Sequence, residues 1–168
     1  MLIDRTQIAL YREIARGVKE DKINPYIDDA QLLDLKPLLG SALYYDMVKN
    51  AAEQKYINLL DAKEFQVNEI TYSHVGLKKI LAIYADARYK LFGSFTDTSF
   101  GFVEKNYQGS TTVPQNSKKD YYKLNQQIAT QYFSDVALFL DNNKDIYTLW
   151  KQGCETRPMG TFRISKIS

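Results

Sequence analysis

The sequence has very little of the chemistry that builds cross-links and catalytic dyads. Its 168 residues include one cysteine, Cys154, and one histidine, His74. A single cysteine excludes an internal disulfide and argues against a cysteine-based zinc site. A single histidine leaves Ser–His–Asp and Cys–His arrangements little to draw on. We therefore expect His74 to be exposed or to cap a helix, and Cys154 to be a bystander.

Common enzyme motifs are absent as well. The sequence contains no Gly-x-x-x-x-Gly-Lys, no Gly-x-Gly-x-x-Gly and no His-Glu-x-x-His. Asp28, Asp29 and Asp34 are close in sequence, but neighbouring residues on a helix point about 100° apart, so Asp28 and Asp29 are not expected to share an ion. The prediction is a protein that is not an enzyme, with no catalytic residue, no cofactor and no metal.

Long apolar runs and strong charge are also missing. No stretch approaches the length of a membrane span, and Met1-Leu2-Ile3 leads directly into charged residues, unlike a signal peptide. The net charge of +2 is too small to indicate nucleic-acid binding by itself. We expect assembly in a reducing cytoplasm and no membrane partner.

What the sequence does contain is helical periodicity and many aromatic residues. Thirteen tyrosines and eight phenylalanines favour protein–protein contact, although core packing accounts for many of them. The length predicts a single domain over residues 1–168. We predict an all-α fold, mainly a bundle of four to five helices, with a β-hairpin-like or irregular insertion at about 93–117 and an extended tail at 152–168.

Two long helices have apolar residues at spacings of three and four. The first is predicted from about Ser73 to Phe92, ending at Gly93, and the second over about 118–141. The expected buried stripe of the first is Leu77, Ile80, Leu81, Tyr84, Ala87 and Leu91. The expected buried stripe of the second is Tyr121, Leu124, Ile128, Tyr132, Val136 and Phe139.

The predicted insertion and tail have a different composition. Alternation around Phe100 and Phe102, followed by a turn signal at Gln108-Gly109, permits a β-hairpin. Segments 56–60 and 61–69 are expected to be a short helix and a connection. The tail alternates apolar and polar residues at its end, which suits a strand added to another sheet edge or, equally, a frayed terminus.

Residues 24–48 predict two helices joined by a tight corner. Asn24 and Pro25 suit a helix start, Gly40 suits a left-handed end, and Ser41 can cap the next helix. Lys36 precedes Pro37, so the first helix is expected to kink or end early there. This helix is apolar on two sides, which indicates that it is covered twice, by its own bundle and by a neighbour.

The corner resembles the N-terminal signature of head–tail connector (adaptor) proteins of tailed bacteriophages, and is most similar to those of phages infecting Bacteroidetes. The matching residues are Tyr26, Ile27, Ala30, Gln31, Asp34, Leu35, Leu38, Leu39, Gly40, Leu43 and Tyr44. The resemblance covers the first third of the chain, and later helices match only by pattern. The 93–117 insertion has no residue-by-residue counterpart.

The resemblance implies a structural virion protein at the head–tail junction. Such proteins are mostly helical and form rings, usually dodecameric, that join the capsid portal to the tail and continue the DNA channel. The implied partners are copies of the chain, the portal protein, and a downstream tail or second ring protein. Genomic DNA would pass through the lumen without sequence-specific binding. The alternative is a small helical DNA-binding or regulatory protein of phage or bacterial origin.

Apolar and aromatic positions in these segments are the predicted interface. They are Tyr26, Leu32, Leu35, Leu39, Tyr44, Tyr45, Phe100, Phe102, Phe162, Ile164 and Ile167. Gly40 and Ser41 are predicted to form the structural turn. Arg88 lies in the apolar stripe of one long helix and Asp135 borders that of the other. Since burying either charge alone is costly, we predict a buried ion pair between them, the alternative being that Arg88 reaches solvent near its helix end.

Overall fold

A computed structural model of the chain describes residues 1–99, 101–104 and 112–151, and its fold is mostly helical, as predicted. The helices are α1 (Arg5–Tyr11), α2 (Glu20–Asp29), a π-helical segment (Ala30–Leu35), α3 (Lys36–Leu39), α4 (Ser41–Lys49), α5 (Gln54–Leu60), α6 (Leu77–Phe92) and α7 (Gln115–Asn142). The strands are β1 (Lys63–Val67), β2 (Ile70–His74), β3 (Phe95–Thr98) and β4 (Gly101–Glu104). The predicted tail, 152–168, lies outside the described residues.

Helix α6 is the centre of the fold. It contacts α7, α2, α1, α5 and the π-helical segment, and every residue from Ile80 to Ala87 is buried. All six residues of its predicted stripe are buried, so that prediction is confirmed. The predicted start at Ser73 is wrong, because Ser73 belongs to β2 and the helix begins after Gly76.

Helix α7 runs where the sequence predicts it, but its buried face is rotated. Leu124, predicted to be buried, is 55% exposed, whereas Asn125 and Ala129 are buried. Asn125 is accommodated because its amide accepts a hydrogen bond from Arg12 Nη2 at 2.8 Å and donates to the Tyr121 carbonyl at 2.8 Å. Asn125 thus occupies a buried position where helical periodicity favours an apolar residue, because its side-chain amide both accepts and donates a hydrogen bond.

The helix before the corner starts earlier than predicted. Because α2 begins at Glu20, Asn24 does not cap it and Pro25 lies inside it. From Ala30 to Leu35 the helix has π geometry, and the Lys36 amide donates to the Gln31 carbonyl, five residues back. A proline removes a backbone donor and crowds the preceding turn, so the wider turn before Pro37 lets the chain remain helical up to Leu39.

The corner itself is at Gly40, as predicted, but its details differ. Gly40 has φ 77° and ψ 147°, a conformation that L side chains rarely adopt. It ends α3 and also occupies the N-cap position of α4, so Ser41 is the first residue of α4 and does not cap it. One glycine therefore closes one helix and opens the next.

Two antiparallel hairpins interrupt the helices. β1 pairs with β2, a hairpin that the sequence analysis missed, since it assigned 61–69 to a connection. Asn68 and Glu69 join these strands with φ of 49° and 66°, as two-residue hairpin turns require. β3 and β4 form a hairpin within the predicted 93–117 insertion. They connect between Thr98 and Gly101, while the predicted turn at Gln108-Gly109 lies outside the described residues.

The buried apolar side chains form one hydrophobic core that includes residues of the N-terminal segment, α2 to α7 and the turns after α7. Tyr147 and Trp150 close it, with the Tyr147 hydroxyl donating to the Lys55 carbonyl at 2.5 Å and the Trp150 indole to Asp141 at 2.9 Å. No helix in the described part of the chain combines the length and apolarity needed to cross a membrane.

Candidate assembly surfaces

Four large apolar side chains are exposed on the helices that meet at Gly40. Leu32, Leu33, Tyr45 and Val48 are 46%, 59%, 54% and 41% exposed. Leu32 and Leu33 lie one turn before Lys36, whose Nζ is 3.3 Å from the Tyr45 hydroxyl and 5.1 Å from its ring centroid. Val48 follows Tyr45 on the same face of α4, since residues three apart are helical neighbours. We call these four residues the corner surface.

The predicted interface residues divide into buried and exposed ones. Leu35, Leu39 and Tyr44 are 0%, 1% and 4% exposed, so the prediction that they contact another subunit is wrong. They belong to the chain's own hydrophobic core. Leu32 and Tyr45 do face outward.

Of the other predicted interface residues, Tyr26 and Phe102 lie in the described part of the chain. Tyr26 is half-buried, with its ring 5.8 Å from that of Tyr89 in an edge-to-face contact. Phe102 lies in β4, where it pairs with Asp97 in the ladder. The remaining predicted residues, Phe100, Phe162, Ile164 and Ile167, lie outside the described residues.

Arg88 has a charged partner, but the predicted partner is wrong. Its Nε lies 2.6 Å from Asp34 Oδ2 and its Nη2 lies 3.0 Å from Asp34 Oδ1, a bidentate ion pair. The two side chains are only 12% and 8% exposed. Asp135 is exposed on α7. The need of Arg88 for a charged partner was predicted correctly. The predicted partner lies on α7, whereas the observed one lies in the π-helical segment.

The Arg88–Asp34 pair ties three elements together. Gln126 of α7 donates from Nε2 to Asp34 Oδ1 at 3.1 Å and to the Tyr122 hydroxyl at 2.9 Å. The hydrogen bonds that Arg88 donates to the Asp34 carboxylate raise the pKa of its guanidinium, so Arg88 is charged at any physiological pH. Since Asp34 lies in the π-helical segment, this cluster fixes the base of the corner surface against α6 and α7.

A second buried polar cluster, centred on Asp86 of α6, was not predicted. Asp86 is fully buried, with Lys90 Nζ 3.1 Å from its Oδ1 and the Tyr121 hydroxyl donating to its Oδ2 at 2.7 Å. Burial, with the Asp86 contact, raises the pKa of Tyr121. The sequence signal that could have found it is the four-residue spacing of Asp86 and Lys90, which places both on one helix face.

The second candidate surface is the outward part of the β1–β2 hairpin. Ile70 and Tyr72 are 57% and 38% exposed, and Glu69 in the turn is exposed beside them. We call Glu69, Ile70 and Tyr72 the hairpin tip. The same face of the hairpin is anchored nearer its base, because Phe65 lies 5.2 Å from the Phe139 ring of α7. Tyr72 is the cross-strand partner of Phe65, and the two rings stack at 5.9 Å.

His74 belongs to this anchor, and the prediction that it is exposed or caps a helix is wrong, since Gly76 is the N-cap of α6 and no side chain caps that helix. It is 1% exposed, and its ring centroid is 4.8 Å from that of Phe139. Its Nδ1 accepts the Gly76 amide at 3.2 Å, immediately before α6. Burial lowers the pKa of His74 below its ordinary value of 6.5, with Lys63 lowering it further and Asp135 opposing.

Both candidate surfaces consist of exposed apolar side chains with charged side chains beside them. Across residues 1–99, 101–104 and 112–151, no group of three or more histidine, cysteine or acidic side chains is placed to hold a metal ion. Among the buried or nearly buried ionisable groups of these residues, Asp34 and Arg88 bind each other and Asp86 binds Lys90 and Tyr121. Lys118 donates to Ser94, and His74 accepts from the Gly76 amide.

Comparison with known proteins gives one match. No curated protein and no solved structure matches the chain significantly. The model of a family of unknown function, DUF6712, matches residues 35–159, about three-quarters of the sequence. This range includes the Gly40 corner, both hairpins, α6 and α7. The chain therefore belongs to the DUF6712 family.

Proposed function

We propose that this protein is the subunit of a ring that joins a phage capsid portal to the tail and continues the DNA channel. The proposal starts from the resemblance of the Gly40 corner to head–tail connectors. The structural observation that supports it is the corner surface, where four large apolar side chains are exposed above a filled core. Contiguous exposed apolar groups are typical of surfaces that contact another protein.

A ring gives such a surface a partner in every subunit. In a closed ring each copy presents the same two surfaces to its neighbours, so one exposed patch is covered at every interface. The Arg88–Asp34 pair keeps the corner surface in place before assembly, because it ties the π-helical segment to α6. A surface that is already ordered loses less conformational entropy when it binds.

The proposed partners are other copies of the chain, twelve to a ring, together with the portal protein and a downstream tail or second ring protein. The proposed location is the head–tail junction of the virion, after assembly in the host bacterial cytoplasm. The net charge of +2 supports a channel wall along which DNA slides without being gripped. Cofactors, catalysis and membranes have no part in this proposal.

The experiment mixes the purified chain with its portal and examines the products by light scattering after size exclusion and by electron microscopy. We expect rings on the portal, even if the chain alone is monomeric. Leu33→Glu should abolish them while its circular dichroism stays unchanged, because it charges the corner surface without entering the core. The matched control is Leu124→Glu, a leucine with nearly the same exposure (55% against 59%) on α7.

Two outcomes would overturn the proposal. One is failure of the wild-type chain to bind the portal or any neighbouring virion protein. The other is a salt-sensitive shift of DNA in a gel, which would favour the regulatory alternative. The structure gives this alternative little support. The second helix of an imagined helix–turn–helix is α4, whose exposed residues are Ser41, Ala42, Tyr45, Val48 and Lys49. They include no arginine, asparagine or glutamine, the residues that most often make bidentate contacts to bases.

A further inference from the structure

We propose that the hairpin tip of one copy packs on the corner surface of the next, so that the ring interface joins two different patches of the same chain. This inference rests on the proposed ring function and specifies which surfaces meet. Its occupant is a second copy of this protein. The argument depends on where the two patches lie, on their charges and on how the hairpin is held.

The two patches lie toward opposite ends of α6. The β1–β2 hairpin leads through Gly76 into Leu77, the first residue of the helix. The corner surface lies beside Asp34, which is bound to Arg88 near the other end. Eleven residues separate Leu77 from Arg88, which is about 16 Å along a helix axis. Two separate patches allow a head-to-tail contact, the type of interface from which rings are built.

The charges around the two patches are complementary. The hairpin carries exposed Glu64 and Glu69, and Lys63 lies at its far end, paired with the buried His74. The corner surface is edged by Lys36, which lies over Tyr45, and by the exposed Lys49. Asp46 of α4 is engaged within the subunit, since it accepts hydrogen bonds from Tyr56 and Asn50. An acidic tip and the basic α4 side of the corner surface would attract each other and fix their relative orientation.

Two acidic side chains lie just before the π-helical segment, so the basic edge of the corner surface does not extend to α2. Asp28 and Asp29 are exposed at the end of α2, and Asp28 accepts a hydrogen bond from Gln31. They precede Leu32 and Leu33 by about one helical turn, so these carboxylates edge the leucine part of the corner surface. The contact is therefore expected to centre on Tyr45 and Val48, with Lys49 nearest to the incoming glutamate.

The hairpin is also built to project a fixed apolar tip. Its base is anchored by the Phe65 and His74 contacts to Phe139, while Ile70 and Tyr72 remain exposed. A two-stranded hairpin is marginally stable by itself, and α7 covers its apolar face at Phe65 and His74. Packing on a neighbour would bury Ile70 and Tyr72 against Tyr45 and stabilise both sides of the contact.

A charge-reversal series tests the contact. We expect Glu69→Lys and Lys49→Glu each to raise the protein concentration needed for half-maximal ring assembly about tenfold, since each places like charges together. The double variant should return close to the wild-type concentration, because it restores the pair with reversed signs. The control is Glu13→Lys, which makes the same change at an exposed site outside both patches. No rescue in the double variant, with rings still forming, would overturn the inference.

Cross-linking gives an independent readout. In a Cys154→Ser background, a Tyr45→Cys chain mixed with an Ile70→Cys chain should form a disulfide between copies under mild oxidation. A Leu124→Cys chain mixed with the Ile70→Cys chain should not. Rings that form without the first cross-link would overturn the proposed contact and leave the ring function standing. Absence of any wild-type assembly on the portal would instead overturn the function itself.

Discussion

Removing the Asp34 carboxylate should destabilise the protein far more than removing an exposed ion pair. Asp34→Ala leaves the Arg88 guanidinium, only 12% exposed, without its bidentate partner. Breaking one side of a buried pair typically costs about 3–5 kcal/mol, because the remaining charge is still desolvated. The Gln126 amide loses one of its acceptors as well. For a chain of this size each 1 kcal/mol lowers the melting temperature by roughly 2–4 °C, so a fall of at least about 6 °C is expected.

The assay is urea unfolding followed by circular dichroism, together with thermal melting, on three variants. Lys78→Met is the control: its Nζ lies 2.8 Å from Asp61 Oδ1, but the pair is partly exposed, at 25% and 50%, and such a pair contributes about 0–1 kcal/mol. The Asp34→Leu, Arg88→Met double variant should recover much of the loss, since it removes both buried charges. If Asp34→Ala costs no more than Lys78→Met, the pair is not the buried anchor described here.

Two further predictions concern single residues where the hairpin joins α6. Gly76 has φ 79°, and a Cβ there would lie 2.5 Å from the Leu60 carbonyl oxygen and from the Asp61 carbonyl carbon. Gly76→Ala should therefore lower the free energy of unfolding in urea by at least about 2 kcal/mol. The control is Gly17→Ala, which should be nearly neutral because a Cβ there has nothing within 4 Å. Because burial lowers the pKa of His74, the unfolded chain takes up a proton more readily than the folded one, so this residue's contribution to stability is complete above pH 6.5 and is lost as pH falls below it. Unfolding at pH 5 and pH 7.5 should show that loss in the wild type and a smaller one in His74→Phe; equal losses would contradict this role.

The sequence predicted α6 well because a single physical rule determines it. A helix that is covered by several others needs apolar residues in most of its positions, and the spacing from Leu77 to Leu91 shows this directly. The β1–β2 hairpin was missed because its strands are largely exposed and its turn is Asn68-Glu69. Neither turn residue is glycine, and the usual signals of such turns are Asn-Gly or Asp-Gly. Its anchor, Phe65 with His74 on Phe139, joins residues far apart in the sequence.

The candidate surfaces were predicted in location but not residue by residue. A two-sided apolar helix was expected, and Leu32 and Tyr45 are exposed, but Leu35, Leu39 and Tyr44 are in the core. Ideal 3.6-residue geometry would place Leu32 and Leu39 on one face, and they differ because the π-helical segment changes the rotation per residue. The partner of Arg88 was missed for a related reason: Asp34 faces α6 only because of the helical geometry that precedes Pro37.

The π-helical segment thus connects the interior of the protein to its surface. Leu33 and Asp34 are consecutive, yet one is 59% exposed and the other is bound to Arg88 inside the bundle. A turn wide enough to tolerate Pro37 places the carboxylate where α6 and α7 meet and leaves both leucines outside. If the corner surface is the ring contact, the buried Arg88–Asp34 pair holds its leucines in position. The stability of the subunit and its ability to assemble then both depend on the six residues of the π-helical segment, Ala30–Leu35.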